Sequence, residues 1–305
     1  MRIVSLVPAA TEMCFALDLG SEVVGVSPEC DYPAAARNLP KVSRSLLDYE
    51  DLSSADTSQQ VGEHLASGDS LYRIDEDALR EASPDVILTQ RLCAVCAPMV
   101  EDVRAVAGRL SKKAKIVALD PHSLRDVLED IDRVGKACGM AVAAANLVDG
   151  LRDRIEEIGF LASHTRERPR TLCLEWLDPL FLAGHWVPEM VQLAGGQNVL
   201  TAPGEKSRRV EPKEVALAAP ESAVLMPCGW DLDRALREAP LVTKRAWWQD
   251  LPASRRNRVW VADGSSYFNR PGPRLVTGLE ILAHILHPDV FPRPPSPKDA
   301  RPWVG

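Results

Sequence analysis

Residues 2–20, RIVSLVPAATEMCFALDLG, decide the fold. A strand-like apolar run ends at Pro8 and passes at once into a helix-like stretch, for which Thr11 is the expected N-cap and Gly20 the expected stop. A strand that hands straight over to a helix is the first half of a parallel α/β unit, and the chain keeps repeating that hand-over. EVVGVS (22–27), a long loop, the helix-like DEDALREASP (75–84), the strand-like DVILTQ (85–90), a helix across about 99–109 and KIVALD (115–120) complete one layer. A helical stretch without proline follows from about Ser123 to Thr165, interrupted near CGM (138–140).

A second α/β series begins at RTLCLEW (170–176). It continues through VPEMVQLAGG (187–196), EPKEVALAAP (211–220), SAVLMP (222–227), DLDRALREA (231–239), VWVADG (259–264) and GPRLVTGLEILAHIL (272–286). DEDALREASPDVILTQ (75–90) and EPKEVALAAPESAVLMP (211–227) share one grammar: an acidic start, a short helix, a small residue before proline, an acid, then a strand. That internal match supports two related halves. The expected organisation is an N-terminal lobe over 1–122, a linking helical segment over 123–166, a C-terminal lobe over 167–290 and a proline-rich tail over 291–305 that hugs the surface or hangs loose.

With 305 residues, 46% hydrophobic and 26% charged, the chain has enough apolar content for two ordinary cores. The formal charge of -7 comes from interleaved acids and bases, so no field of one sign exists to hold a polyanion. Nucleic acid is not an expected partner. The N-terminal apolar run stops after five residues, with no signal-peptide cleavage site behind it, and no segment is long enough to cross a bilayer. As given, the chain reads as cytoplasmic, and as periplasmic or otherwise extracytoplasmic if an export signal precedes it. Seven cysteines is an odd number, and Cys14, Cys138 and Cys173 lie in apolar runs where a reduced thiol packs as a small hydrophobe. A monomer is expected.

Ligands of open parallel sheets bind at the carboxyl ends of strands, so the residues just after each strand form one set. Glu29-Cys30-Asp31-Tyr32 follow the second strand; Cys93-x-x-Cys96 follows DVILTQ; Trp176 and then Trp186 follow TLCLE; Cys228-Gly-Trp230 follows SAVLMP; Tyr267 and Phe268 follow VWVADG. Taken singly, each tryptophan is more often a lid on the core than a platform. Together, in a chain with 5% aromatics, they suit a cleft for a large flat ligand. The competing reading is a zinc or redox protein using Cys30, Cys93, Cys96 and Cys228, since zinc takes four ligands and CxxC at a helix start can be redox-active. No Gly-x-Ser-x-Gly or phosphate-cradling glycine loop appears, and no enzyme is expected.

RIVSLVPAATEM, ECDYP, SLYRID, PDVILTQRLCAVCA, EWLDPLFLAGHWVPEMVQLAGG, MPCGWDLDRA and YFNRPGPRLVTGLEILAHIL also carry a resemblance. Across residues 1 to about 288 the chain resembles the cobalamin (vitamin B12)-binding subgroup of the periplasmic substrate-binding proteins that serve ABC importers of iron chelates and B12. The resemblance implies two Rossmann-like lobes with central parallel sheets, joined by one long helix, and a corrinoid clamped between them. It implies ABC importer membrane subunits as partners, docked through acids at Asp77 and in the Glu214 region, although Lys213 occupies the matching position with Glu211 beside it.

On this reading Trp176, Trp186, Trp230, Tyr267 and Phe268 face the corrin, and Asp31, Tyr32, Gln90, Arg270 and Arg274 bond its amides. Cys93 and Cys96 line the pocket, or one thiolate ligates cobalt. The alternative in the same class is another large chelate, a siderophore or haem. A strongly anionic siderophore would call for an arginine cluster, and only Arg91, Arg270 and Arg274 fall near the expected mouth.

Overall fold

The computed structural model describes residues 1–47, 52–67, 70–92, 95 and 97–304. The chain divides into two compact units, residues 1–121 with 125–150 and residues 122–124 with 151 onward.

In the first unit β1 (Ile3–Ser5), β2 (Val23–Val26), β5 (Val86–Gln90) and β6 (Lys115–Leu119) form a parallel sheet in the order β2-β1-β5-β6. A separate antiparallel pair joins β3 (Ser43–Ser45) to β4 (Tyr72–Ile74). Every residue of β1 and β5 is buried, as strands covered by helices on both faces require. The helix after β1 spans Pro8–Ala16 and starts earlier than expected, because Pro8 at its first turn has its φ preset for helix. Thr11 therefore lies inside the helix and is no cap. Its buried hydroxyl meets Ser5 Oγ at 2.8 Å and Cys30 Sγ at 3.0 Å. Gly20 does not stop that helix either. It opens a short 3-10 turn against Phe15, whose ring an added Cβ would meet at 2.6 Å.

In the second unit β7 (Arg170–Leu177), β8 (Leu180–Leu182), β9 (Gln197–Asn198), β10 (Arg208–Arg209), β11 (Ser222–Leu225), β12 (Val259–Ala262) and β13 (Ala300–Pro302) form one sheet, ordered β10-β8-β7-β11-β12-β13 with β9 also on β7. β9, β7, β11 and β12 run parallel, while β8, β10 and β13 are antiparallel additions. The proline-rich tail is thus neither loose nor merely draped. It supplies the edge strand β13, a position where proline is tolerated, and Trp303 donates its backbone N–H to Val259 at 2.8 Å. The helical stretch is two helices, Leu124–Ala137 and Ala141–Ser163, separated by Gly139 at φ +75°. The boundary between the units falls inside the second helix, between Gly150 and Leu151.

The two units repeat one construction. The helices Glu76–Ala82 and Pro212–Ala218 both end on a left-handed residue, Ser83 at φ 41° and Ala219 at φ 44°, and each leads into the strand expected from the shared grammar. Arg2 Nε donates to the Ala82 carbonyl at 2.6 Å, and Arg170 Nε and Nη2 donate to the Ala218 carbonyl at 3.1 and 2.6 Å. The backbone N–H groups of the same arginines donate to Asp85 and Glu221, the acids after the prolines. Helix-end carbonyls have no partner within their own helix, so an arginine from the neighbouring strand satisfies one in each unit and fixes the helix-to-strand angle.

Candidate functional site

In the second unit three strands end side by side. β7 closes on Glu175-Trp176-Leu177, and the backbone carbonyl of Glu175 accepts the Cys228 N–H at 2.8 Å, which ties the end of β7 to the loop after β11. β12 leads into Asp263, whose carboxylate caps the helix Gly264–Tyr267 by accepting the Ser266 N–H at 2.7 Å.

The aromatics separate into two groups. Trp176 is partly exposed, donates its ring N–H to the Asp178 carbonyl at 3.1 Å and lies 4.8 Å, ring centre to ring centre, from Trp230. Trp230 itself is buried in the core of the second unit, with the Arg234 guanidinium 4.7 Å above its ring. Trp186 is buried and donates to the Phe268 carbonyl at 2.7 Å; Phe268 has no exposed surface. The expectation that Trp186, Trp230 and Phe268 present open faces is therefore corrected: they pack behind the strand ends. An indole N–H that finds a carbonyl inside the fold is free to be buried. Tyr267 is half-buried; its hydroxyl donates to Asp299 Oδ1 at 2.9 Å, and burial together with that carboxylate drives the phenol well above its ordinary range. Arg274 lies 5.7 Å over the Tyr267 ring. The Asp263 carboxyl is pushed up by burial, against the opposing Ser266 bond and the nearby charges of Arg274 and Arg270.

Beside them is a polar cluster that the strand-end reading missed. Glu175 accepts hydrogen bonds from the Gly184 backbone and the Ser207 hydroxyl, and burial pushes its carboxyl up to about 7 despite both. The loop through Ser207 lies directly on Gly184, where a Cβ would meet Ser207 N at 2.3 Å and the Glu205 oxygen at 2.6 Å. His185 holds that loop: its N–H donates to the Glu205 carbonyl at 2.5 Å, and its carbonyl accepts the Gly204 N–H at 2.8 Å. It does so at φ +54°, in the left-handed region. Its Nδ1 is buried without a partner among the described residues, while the residue as a whole is partly exposed. The ring lies 5.8 Å from His122 and 5.6 Å from Trp186. Burial lowers its pKa, and the charges of His122 and Lys206 add to that. The legible signal was a glutamate inside an otherwise apolar strand, TLCLEWL, facing a glycine-histidine turn.

In the first unit Asp31 is partly buried with its carbonyl accepting Arg37 Nε at 3.1 Å, Tyr32 is exposed, and Gln90 is buried at the end of β5. Cys93 and Cys96 lie outside the described residues. Cys30 is buried, its sulfur in contact with the Thr11 and Ser27 hydroxyls, and Cys228 is partly exposed. Cys173 is buried and its thiol pushed up to about 12, so it stays protonated and inert. Among the described residues no group of three or more His, Cys, Asp or Glu side chains could hold a metal ion. Of the expected docking acids, Asp77 is exposed beside Arg80, whereas Glu214 is committed to the Glu211 N–H at 3.0 Å and to Arg208 at 3.2 Å. No described helix is long and apolar enough to cross a membrane.

Comparison with known proteins adds a relationship. The profile of the periplasmic binding protein family matches residues 3–265. An uncharacterized ABC transporter substrate-binding lipoprotein of Bacillus subtilis (strain 168) is 25% identical over 299 residues, 95% of this chain and 81% of that protein. A vitamin B12-binding protein of Vibrio vulnificus (strain YJ016) is 23% identical over 284 residues, 92% of this chain and 87% of that one. Among solved structures, the periplasmic vitamin B12-binding protein of Vibrio cholerae superposes with a TM-score of 0.68 at 20% identity, covering 96% of this chain and 98% of that one. A periplasmic haem-binding protein from Pseudomonas aeruginosa gives 0.72 at 19% identity, covering 98% and 96%. At these identities the structures establish a shared α/β fold.

Proposed function

Because the chain belongs to the periplasmic binding protein family, whose members bind substrates for ABC importers and are not enzymes, we propose that it binds a corrinoid, cobalamin or a close relative, for uptake, transport or handling. The observation that carries this reading is the state of the polar groups at the strand ends of the second unit. Tyr267 already donates its hydroxyl hydrogen bond to Asp299, Glu175 is held uncharged up to about 7, and His185 is held neutral by burial. These groups suit hydrogen bonding to uncharged amides better than binding anions or an open metal centre. A corrin ring carries a rim of amides, whereas haem offers carboxylates and an open iron. Arg270 and Arg274 lie near the Asp263 carboxylate, which offsets their pull on an anionic siderophore.

On this reading Trp176, Tyr267, Arg270 and Arg274 meet the ligand, backed by Trp186, Trp230 and Phe268. Asp31, Tyr32, Gln90, Cys93 and Cys96 are proposed as further contacts. A relative that is a substrate-binding lipoprotein supports work outside the cytoplasm with importer membrane subunits, for which Asp77 is the more available of the two expected docking acids. Calorimetric titration with cyanocobalamin, cobinamide, haemin and a ferric hydroxamate siderophore tests the proposal. Both corrinoids are expected to bind one to one with a dissociation constant of about 1 μM or tighter, since a large flat ring buries enough apolar area to exceed its ordering cost. Haemin or siderophore binding more tightly than either corrinoid would overturn it.

A further inference from the structure

We infer that His185 is a specificity-determining residue of this site, donating its Nε2–H to a carboxamide oxygen on the rim of the ligand and not coordinating the metal. The inference rests on the corrinoid reading above. The ring has one nitrogen of each kind to account for. Nδ1 is buried and has no hydrogen-bond partner among the described residues. A buried N–H without an acceptor costs more than an unused lone pair, so the proton belongs on Nε2 and Nδ1 carries the lone pair.

A histidine that ligates a metal through Nε2 does the reverse. It needs its proton on Nδ1, normally given to a carbonyl or carboxylate that fixes the ring and raises its basicity. Among the described residues His185 has no such acceptor. What holds the ring is packing against His122 and Trp186 at 5.8 and 5.6 Å, and a backbone pinned in the left-handed region by two hydrogen bonds to the loop through Gly204 and Glu205. Strain of that kind persists where the surroundings over-determine a position, as at ligand clamps. The residue is only partly buried, and of its two ring nitrogens Nδ1 alone is among the buried atoms without a partner, which leaves Nε2 as the one for the ligand side.

The surroundings set the preference among acceptors. Glu175, on the far side of the Gly184–His185 turn, stays uncharged up to about 7, and burial keeps the imidazole from becoming a cation. Lys206 is exposed, where its charge is screened. A carboxylate placed here would lose its water for a neutral donor and a solvent-screened lysine, whereas an amide oxygen exchanges one neutral bond for another.

The test is a spectroscopic and calorimetric titration of the parent chain, His185→Ala and His185→Gln with diaquocobinamide and with cyanocobalamin. The parent chain should bind both without moving the visible bands of diaquocobinamide, because no imidazole reaches cobalt. His185→Ala should weaken both by about threefold to tenfold, the loss of one neutral hydrogen bond. Gln, which keeps an N–H donor, should recover affinity to within about twofold. A shift of the diaquocobinamide bands in the parent that His185→Ala abolishes would make His185 a cobalt ligand and overturn the inference. Unchanged affinity in His185→Ala would overturn it as well. Failure of the parent to bind either corrinoid would instead sink the corrinoid reading and this assignment with it. Should His185→Ala fail to fold, the parent spectrum and the Gln variant still decide.

Discussion

Replacing Glu175 by Gln should make the protein more stable in alkaline solution while changing little in mild acid. The carboxyl is moved from an ordinary 4.5 to about 7, chiefly by burial. The native state therefore holds a proton that the unfolded chain has released throughout that window, and stability falls as pH rises from 4.5 through 7. Such a displacement corresponds to about 3 kcal/mol between the protonation states, which residual solvent access reduces to about 2 to 3. Gln has nearly the same shape and keeps both bonds, its carbonyl accepting from Gly184 and its amide serving Ser207. At pH 5 the two proteins should agree within about 1 kcal/mol; at pH 9 the variant should be ahead by about 2 to 3. His185 acts in the opposite sense: its lowered pKa contributes stability above 6.5 that is lost as pH falls. That contribution is common to both chains and cancels in their difference. Urea titrations followed by tryptophan fluorescence across pH 5 to 9 give that difference directly. Parallel pH profiles, or a variant weaker than the parent at pH 9, would refute the assignment of Glu175 as a buried, uncharged group.

Trp230→Ala should lower the stability of the unliganded protein by about 3 to 5 kcal/mol, because the ring fills the core of the second unit; an unchanged urea midpoint would restore it to an open ligand face. Gly278→Ala places a Cβ at 2.1 Å from the Tyr267 backbone oxygen, which cannot yield as a side chain would. A loss of about 1 to 3 kcal/mol, read as a lower melting temperature, is expected, together with weaker ligand binding as Tyr267 shifts. Removing residues 296–305 should expose the β12 edge, free the Tyr267 hydroxyl from Asp299 and cause concentration-dependent association visible in light scattering. A truncated chain that stays monomeric and equally stable would show that β13 contributes nothing.

The parallel strands were legible because β1, β5, β7, β11 and β12 are apolar runs bounded by turns, and the duplicated helix-proline-strand grammar returned as the paired arginine contacts of Arg2 and Arg170. β8, β10 and β13 were not, since two or three residues carry too little periodicity to register, and the pairing partners of β10 and β13 lie far along the chain. Thr11 looked like a cap by residue type, but Pro8 three positions earlier had already started the helix. The strand-end rule gathered the loops that follow β7, β11 and β12 and then overcounted their exposed faces: whether Trp186 is exposed or core depends on the Phe268 carbonyl 82 residues away, which no local pattern contains. His185 and Glu175 were passed over, although both lie in the quoted stretch EWLDPLFLAGHWVPEM, because the strand-end reading sought aromatics and thiols. Their meaning arises only where the loop through Ser207 folds onto Gly184.

The most direct test of the central claim is a competition, in which the purified chain is offered equimolar cyanocobalamin and haemin and the complexes are weighed by native mass spectrometry. The account predicts one cyanocobalamin per chain as the dominant complex. A dominant haemin complex, or a chain carrying stoichiometric zinc and no organic ligand, would contradict it.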